Sequence, residues 1–116
     1  MKARLSYQNK GIEVEDIQKC SGLKKFSGLM FKGKDKAKAM LFDFKNPKKW
    51  AIHSLFCPDF IAIWIDDKGK VVDWEFIMGN HLSIRPKKKF SKLLEVPLNK
   101  KYSSVAEFFL EEKRKV

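Results

Sequence analysis

Cysteine is nearly absent from this chain of 116 residues: Cys20 and Cys57 are its only two. Two thiols cannot build the disulfide scaffold of a small secreted domain. Histidine is as scarce, with His53 and His81 alone, so the chain is poor in the usual acid–base groups. Four prolines and six glycines are scattered singly, leaving no linker, repeat or low-complexity tract. No apolar run approaches the roughly 18 residues of a membrane span. No signal-like apolar stretch follows the basic Met1–Arg4 start. A cytoplasmic protein with no membrane partner is the expectation.

What the chain does have is core-forming material and positive charge. Hydrophobic residues make up 44% of it, ten of them Phe, which suits one globular domain over 1–116. Twenty-five bases against 14 acids give a net charge of +11. Residues 24–49 hold net +7 and residues 85–92 net +5, while 50–77 are net −3. If the two basic blocks converge, they form a face that attracts anions. Only Arg4, Arg85 and Arg114 are arginines; the other 22 bases are Lys. Arg is the residue of bidentate phosphate and guanine recognition, whereas Lys also serves solubility. A basic, merely solvated surface is therefore the bland alternative. A nucleic-acid partner would be held through its backbone rather than read by sequence.

Hydrophobic periodicity predicts a β-rich fold. Lys2–Tyr7 and Gly11–Glu15 read as strands joined across Gln8–Gly11, with Ile12 and Val14 on one face. Ser21 suits a helix N-cap, and Leu23, Phe26 and Met30 share a helical face, giving a short helix over 22–27. Ala39–Lys45 alternates as a strand before an Asn46–Lys49 turn. Trp50–Phe56 and Phe60–Ile65 read as strands, Asp66–Gly69 as a hairpin turn and Lys70–Ile77 as the returning strand. Val72, Trp74 and Phe76 are expected to face the core with Ile61, Ile63 and Ile65. Met78–Lys89 reads as a loop and Phe90–Leu98 as a strand. Ser104-Val105-Ala106-Glu107 is a capping box opening a helix to about 114. The strands follow one another too closely for helical crossovers, so the sheet is expected to be mainly antiparallel. The fold class is α+β, mainly β: a compact, antiparallel, barrel-like sheet with a short helix in the N-terminal half and a C-terminal helix.

Five segments, in order, resemble the uncharacterised domain-of-unknown-function family 192. Gly28-Leu29-Met30-Phe31-Lys32 is similar to its Gly-Leu-Met-Phe-Arg signature, and Ala39–Phe44 to its Gly-Met-Leu-Phe-apolar-Phe strand. Ile52-His53 with Pro58 resembles its Ile-His…Phe-Pro-Ile-Asp stretch. Ile65–Val72 resembles its Leu-Asp-x-x-Gly-x-Val-Val hairpin, and Leu94-Glu95-Val96-Pro97 its Leu-Glu-Leu-Pro strand. The resemblance spans about residues 12–98 and implies a compact β-rich domain with short helices. It departs from the family at Lys32, where an Arg is usual, and at Asp59, which follows Pro58 directly. It departs again after Pro97, where Leu98–Lys101 replaces the usual Gly and a capped helix follows.

Catalytic parts are few. No Gly-x-Ser-x-Gly elbow and no phosphate-cradling Gly-x-x-x-x-Gly-Lys-Ser/Thr loop is present. His53 and Cys57 share a strand face at i and i+4, which would suit a thiol nucleophile with its base, but spacing alone defines no triad. The same two with Cys20, His81 or Asp59 lack the closely spaced ligand pairs of structural zinc. Neither a metal nor a cofactor is expected. Cys20 and Cys57 read as small buried apolar residues, a disulfide between them being disfavoured. Asp66-Asp67 lacks the twelve-residue calcium pattern and reads as a turn.

The function expected from these features is a non-catalytic binding module whose basic face meets an anionic partner, nucleic acid or another polyanion. Its residues are Lys32, Lys34, Lys36, Lys38, Lys48, Lys49, Arg85, Lys87, Lys88 and Lys89. A small-molecule pocket or weak enzyme centred on Met30, His53 and Asp59 is the second reading, and a protein-interaction domain using the tail helix the third. Oligomeric state is not legible.

Overall fold

The computed structural model of the protein describes residues 1–20, 33, 35–48, 51–54, 56–81 and 83–115, with the backbone only for 45–48. The chain opens with a hairpin of β1, Ala3–Tyr7, and β2, Lys10–Val14, paired antiparallel from Ala3 with Val14 to Tyr7 with Lys10. Gln8 and Asn9 both take positive φ, 48° and 66°. That is the two-residue turn whose twist matches paired strands.

A five-stranded sheet follows. It contains β3 (Ile17–Cys20), β4 (Ala39–Lys48), β5 (Phe60–Ile65), β6 (Val71–Ile77) and β7 (Phe90–Pro97), in the order β3-β4-β7-β5-β6. All its pairings are antiparallel except β3 with β4, which is parallel. The last strand, β7, lies at the centre and is buried along almost its whole length. The turn between β5 and β6 forms as expected. Asp66 Oδ1 accepts from Lys68 N and Lys70 N, both at 2.9 Å, and Gly69 takes φ 83°. A Cβ at Gly69 would also stand 3.3 Å from the Arg4 carbonyl oxygen, so glycine is needed there twice over.

Both faces of the sheet are covered. On one, Leu5, Ile12 and Val14 of the hairpin and Val105 and Phe109 of the C-terminal helix pack on Leu41, Ile61, Ile63, Leu94 and Val96. On the other, Cys20, Met40, Phe42, Phe60, Ala62, Trp64 and Leu93 form a second cluster, joined by Ile84, Ile52 and Cys57. The helix, α1, spans Ser103–Arg114 and follows a 3-10 turn at Lys100–Tyr102. Tyr102 bolts these parts together. Its hydroxyl donates to the Asp16 carbonyl and accepts from Ala39 N, both at 2.8 Å.

Several expectations are corrected. The barrel is an open sheet: among the described residues nothing pairs β3 with β6. The first two strands pair with each other as a hairpin, which touches the two edges of the sheet only by single links, Ser6 with Lys70 beside β6 and Met1 with Ile17 of β3. The described part of Trp50–Phe56, residues 51–54 and 56, is not a strand and makes one bridge, Ile52 with Ile84. Strand β3 was not expected, and β4 runs on to Lys48 through the expected turn, with a register shift between Asp43 and Lys48. The Ser104 capping box is not how the helix starts. Tyr102 holds the cap position without a side-chain bond, and the preceding 3-10 turn is capped by Asn99, which accepts from Lys101 N at 3.1 Å. The register of β5 and β6 is as expected at Ile61 with Phe76 and Ile63 with Trp74. Val72 departs: a bulge beside Ile65 places Val71 in the first cluster and turns Val72 to the second. The helix expected over 22–27 lies outside the described residues.

Candidate polyanion-binding site

The antiparallel register of β4 with β7 decides which basic residues meet. Lys48 pairs with Phe90 and Asp43 with Lys92, while Met40 pairs with Glu95. The end of β4 and the lysine run that leads into β7 therefore lie side by side. Ile65 also pairs with Lys92, which brings the Asp66–Gly69 turn to the same end. Lys36 and Lys38, which lead into β4, lie at the other end, about 23 Å away along β7 at ~3.3 Å per residue. Of the two basic blocks, 85–92 therefore meets the described end of 24–49 and not its described lead-in 36–38, since in an antiparallel pair one strand begins where the other finishes. Lys32, Lys34 and Lys49 lie outside the described residues, as does Met30.

Placement also sorts the charges by whether they are compensated. Lys38 and Lys101 both pair with Asp16, Lys10 and Lys115 with Glu112, and Lys2 with Glu13 and Glu15. Among the described residues no ion pair involves Arg85, Lys87, Lys88, Lys89 or Lys92. The loop that carries them is nonetheless held in place. Ile84 exchanges both backbone bonds with Ile52 at 2.8 Å, and Lys87 N donates to Asp73 Oδ2 at 2.8 Å. Ile84 and Pro86 are buried, while Arg85 and Lys87–Lys89 are exposed. Alternate residues of this stretch anchor it and display its charge.

Of the second expected site, only His53 and Asp59 fall among the described residues. Asp59 Oδ1 accepts from Gly79 N at 3.1 Å, which gives this carboxylate a loop-tying task. His53 is half-buried on the same loop. Burial, and then the negative charge of Glu95, push the Cys57 thiol up to about 11. A thiol so raised is almost wholly protonated at neutral pH and is a poor nucleophile. Among the described residues no group of three or more His, Cys, Asp or Glu side chains could hold a metal ion. No described helix is long and apolar enough to cross a membrane.

No family model matches the chain, and no curated protein sequence matches it. Among solved structures, it is similar to a protein of Sinorhizobium meliloti 1021 described as a "putative transcription regulator". The TM-score is 0.70 at 13% identity, over 90% of this chain and 84% of that one. At that identity the likeness establishes a shared fold and nothing finer.

Two features of this surface escaped sequence reasoning. One is a cleft of about 420 Å³ between β6 and the loop after it, where Arg85 sits with Glu75, His81 and Ser83. The other is Phe56, exposed at 62% with φ 58°. Neither follows a spacing rule. The cleft depends on loops folding back along an edge strand, and a positive φ at Phe has no sequence signal.

Proposed function

We propose that the protein is a non-catalytic module that binds a polyanion, nucleic acid being the class its fold relative suggests, through the end of the sheet where β4 stops and β7 begins. The observation that carries this reading is the uncompensated run Arg85–Lys92 set beside the end of β4 by the Lys48–Phe90 pairing. Among the described residues Lys2, Lys10, Lys38, Lys101 and Lys115 are paired with carboxylates, whereas this run is not; what sets it apart from the other unpaired lysines (Lys19, Lys36, Lys68, Lys70, Lys100 and Lys113) is its density, five bases in the eight residues 85–92. Such a run supplies phosphate contacts whose strength comes from counterion release and so falls steeply with salt. The kinship with family 192 stands as part of this proposal. Its described motifs fall on β4, on the β5–β6 turn and on β7, the elements that bring the basic run to one end.

The test is a salt titration of oligonucleotide binding by the wild type and by a variant with Lys87, Lys88 and Lys89 all changed to Gln. The expected result is a linear fall of log K with log salt, the slope shrinking by about 0.7–0.9 for each phosphate contact removed. Absence of binding at about 50 mM salt, where such contacts are strong, overturns the reading. Equal slopes for the two proteins would make Lys87–Lys89 a solvated loop and nothing more.

A further inference from the structure

The cleft beside β6 holds polar groups that the protein itself leaves unused. Glu75, Met78, His81, Ser83, Ile84 and Arg85 line it. Arg85 and Glu75 share the cleft, yet they form no ion pair with each other or with any other described residue. His81 Nε2 lies 2.8 Å from the Met78 carbonyl oxygen. A carbonyl only accepts, so Nε2 carries the proton and Nδ1 is left for a ligand. A guanidinium and a carboxylate held apart in one cleft match a ligand with an anion at one end and hydrogen-bond donors at the other. In a chain with 22 Lys and three Arg, this arginine offers the planar fork that grips phosphate bidentately.

Phe56 stands next to this cleft. Its backbone N donates to Asn80 Oδ1 at 2.8 Å, one residue before His81. The two loops are tied further by Ser54 Oγ, which donates to the Gly79 carbonyl and accepts from His81 N, both at 2.8 Å. Phe56 is 62% exposed on this tied loop, in a φ region that non-glycine residues uncommonly take. Beyond the cleft, at Asp73, the loop reaches Lys87 and its neighbours. An aromatic ring, an arginine cleft and a lysine run therefore follow one another along the outer edge of β6.

We infer that this edge is a track for single-stranded nucleic acid. One unpaired nucleotide seats in the cleft, its phosphate on Arg85 and Ser83 and its sugar or base donors toward Glu75. The adjacent base stacks on Phe56, and Lys87–Lys89 follow the backbone. The inference rests on the polyanion reading and narrows it, because a duplex keeps its bases stacked inside and cannot offer one to a cleft or a ring. Bases of any identity stack on an aromatic face, so sequence preference is weak.

The experiment measures fluorescence anisotropy of a labelled oligothymidine and of a mixed-sequence duplex of equal phosphate number. Five proteins are compared: wild type, Phe56→Ala, Phe56→Trp, Arg85→Lys, and the triple Lys87/Lys88/Lys89→Gln variant. Phe56→Ala is expected to weaken single-strand binding about 5- to 150-fold, the range for one stacked base, and to leave duplex binding unchanged. Phe56→Trp restores it. Arg85→Lys keeps the charge and the salt slope but loses single-strand affinity about fivefold or more, since a lysine cannot reproduce a bidentate grip. The triple variant weakens both ligands. If Phe56→Ala and Arg85→Lys bind single strands like the wild type while the triple variant does not, the track is wrong and the polyanion reading stands. If the wild type binds neither oligonucleotide, both fall. Duplex binding by each point variant doubles as the check that it is folded.

Discussion

The two faces of the central sheet are covered by different kinds of structure. One carries regular elements, the β1–β2 hairpin and α1. Its aromatic side chains interlock: Phe109 lies 4.9 Å from Trp74 and 6.2 Å from Tyr7, ring centre to ring centre. The described cover of the other face is irregular chain, residues 52–54, 56–59, 78–81 and 83–89. That side contains the thiol of Cys20, 3.3 Å from Met40 Sδ, and the half-buried Cys57. It also contains Trp64, whose buried indole N–H finds no acceptor among the described residues. Regular cover satisfies its own backbone and spends its side chains on packing. Irregular cover leaves polar groups and rings pointing outward, and Phe56, the arginine cleft and the lysine run all belong to it. Stability and display are thus divided between the faces.

The division breaks most plainly at Phe109. It is fully buried among Tyr7, Trp74 and Phe108, so Phe109→Ala should lower unfolding free energy by about 3–5 kcal/mol in denaturant titration. A cost below about 1 kcal/mol would mean that α1 is not integral to that face.

A smaller effect ties the hairpin to the helix. Glu112 accepts from Lys10 Nζ at 2.7 Å, and that bond, aided by Lys115, holds its carboxyl below the ordinary value of 4.5. A depressed folded-state value stabilises the fold above pH 4.5 and loses that contribution as pH falls through the folded value. Wild-type stability should therefore drop on acidification below about pH 5, and Lys10→Met should flatten that limb. An unchanged acid limb in the variant would remove Glu112 from the account.

On the irregular side the expected effects are slight. Trp64→Phe removes an indole N–H that has no partner among the described residues, and the gain offsets the lost volume, leaving stability within about 1 kcal/mol of wild type. A loss as large as that of Phe109→Ala would show that the indole N–H is bonded after all. Cys57, raised to about 11, should resist alkylation at pH 7 and react appreciably only well into the alkaline range. Rapid labelling near pH 7, slowed by His53→Ala, would restore the nucleophile reading.

How far the sequence foretold this molecule follows the same division. The hairpins were legible because their signals are local: Asn9 at a tight turn, Asp66–Gly69 with its glycine, and alternation along β5 and β6. Strand β3 was not, since Ile17-Gln18-Lys19-Cys20 is too short and mixed to show a period, and only its pairing with Ala39–Phe42 makes it a strand. The convergence of charge was half legible. Two lysine blocks could be counted, but which ends meet depends on β7 entering between β4 and β5, a non-local choice that no window of residues contains. The cleft and Phe56 depend on loop against loop, and were invisible for that reason.

A binding end differs from a diffuse basic surface in where the charge lies rather than in how much there is. The most direct measurement compares salt slopes of oligonucleotide binding for two triple variants of equal charge. One changes Lys87, Lys88 and Lys89 to Gln; the other changes Lys36, Lys38 and Lys100, at the opposite end of the sheet. The first should lose about 2–3 units of slope and the second should keep the wild-type slope to within about half a unit. Equal losses from the two would contradict a binding end, showing a diffuse positive surface with no preferred end.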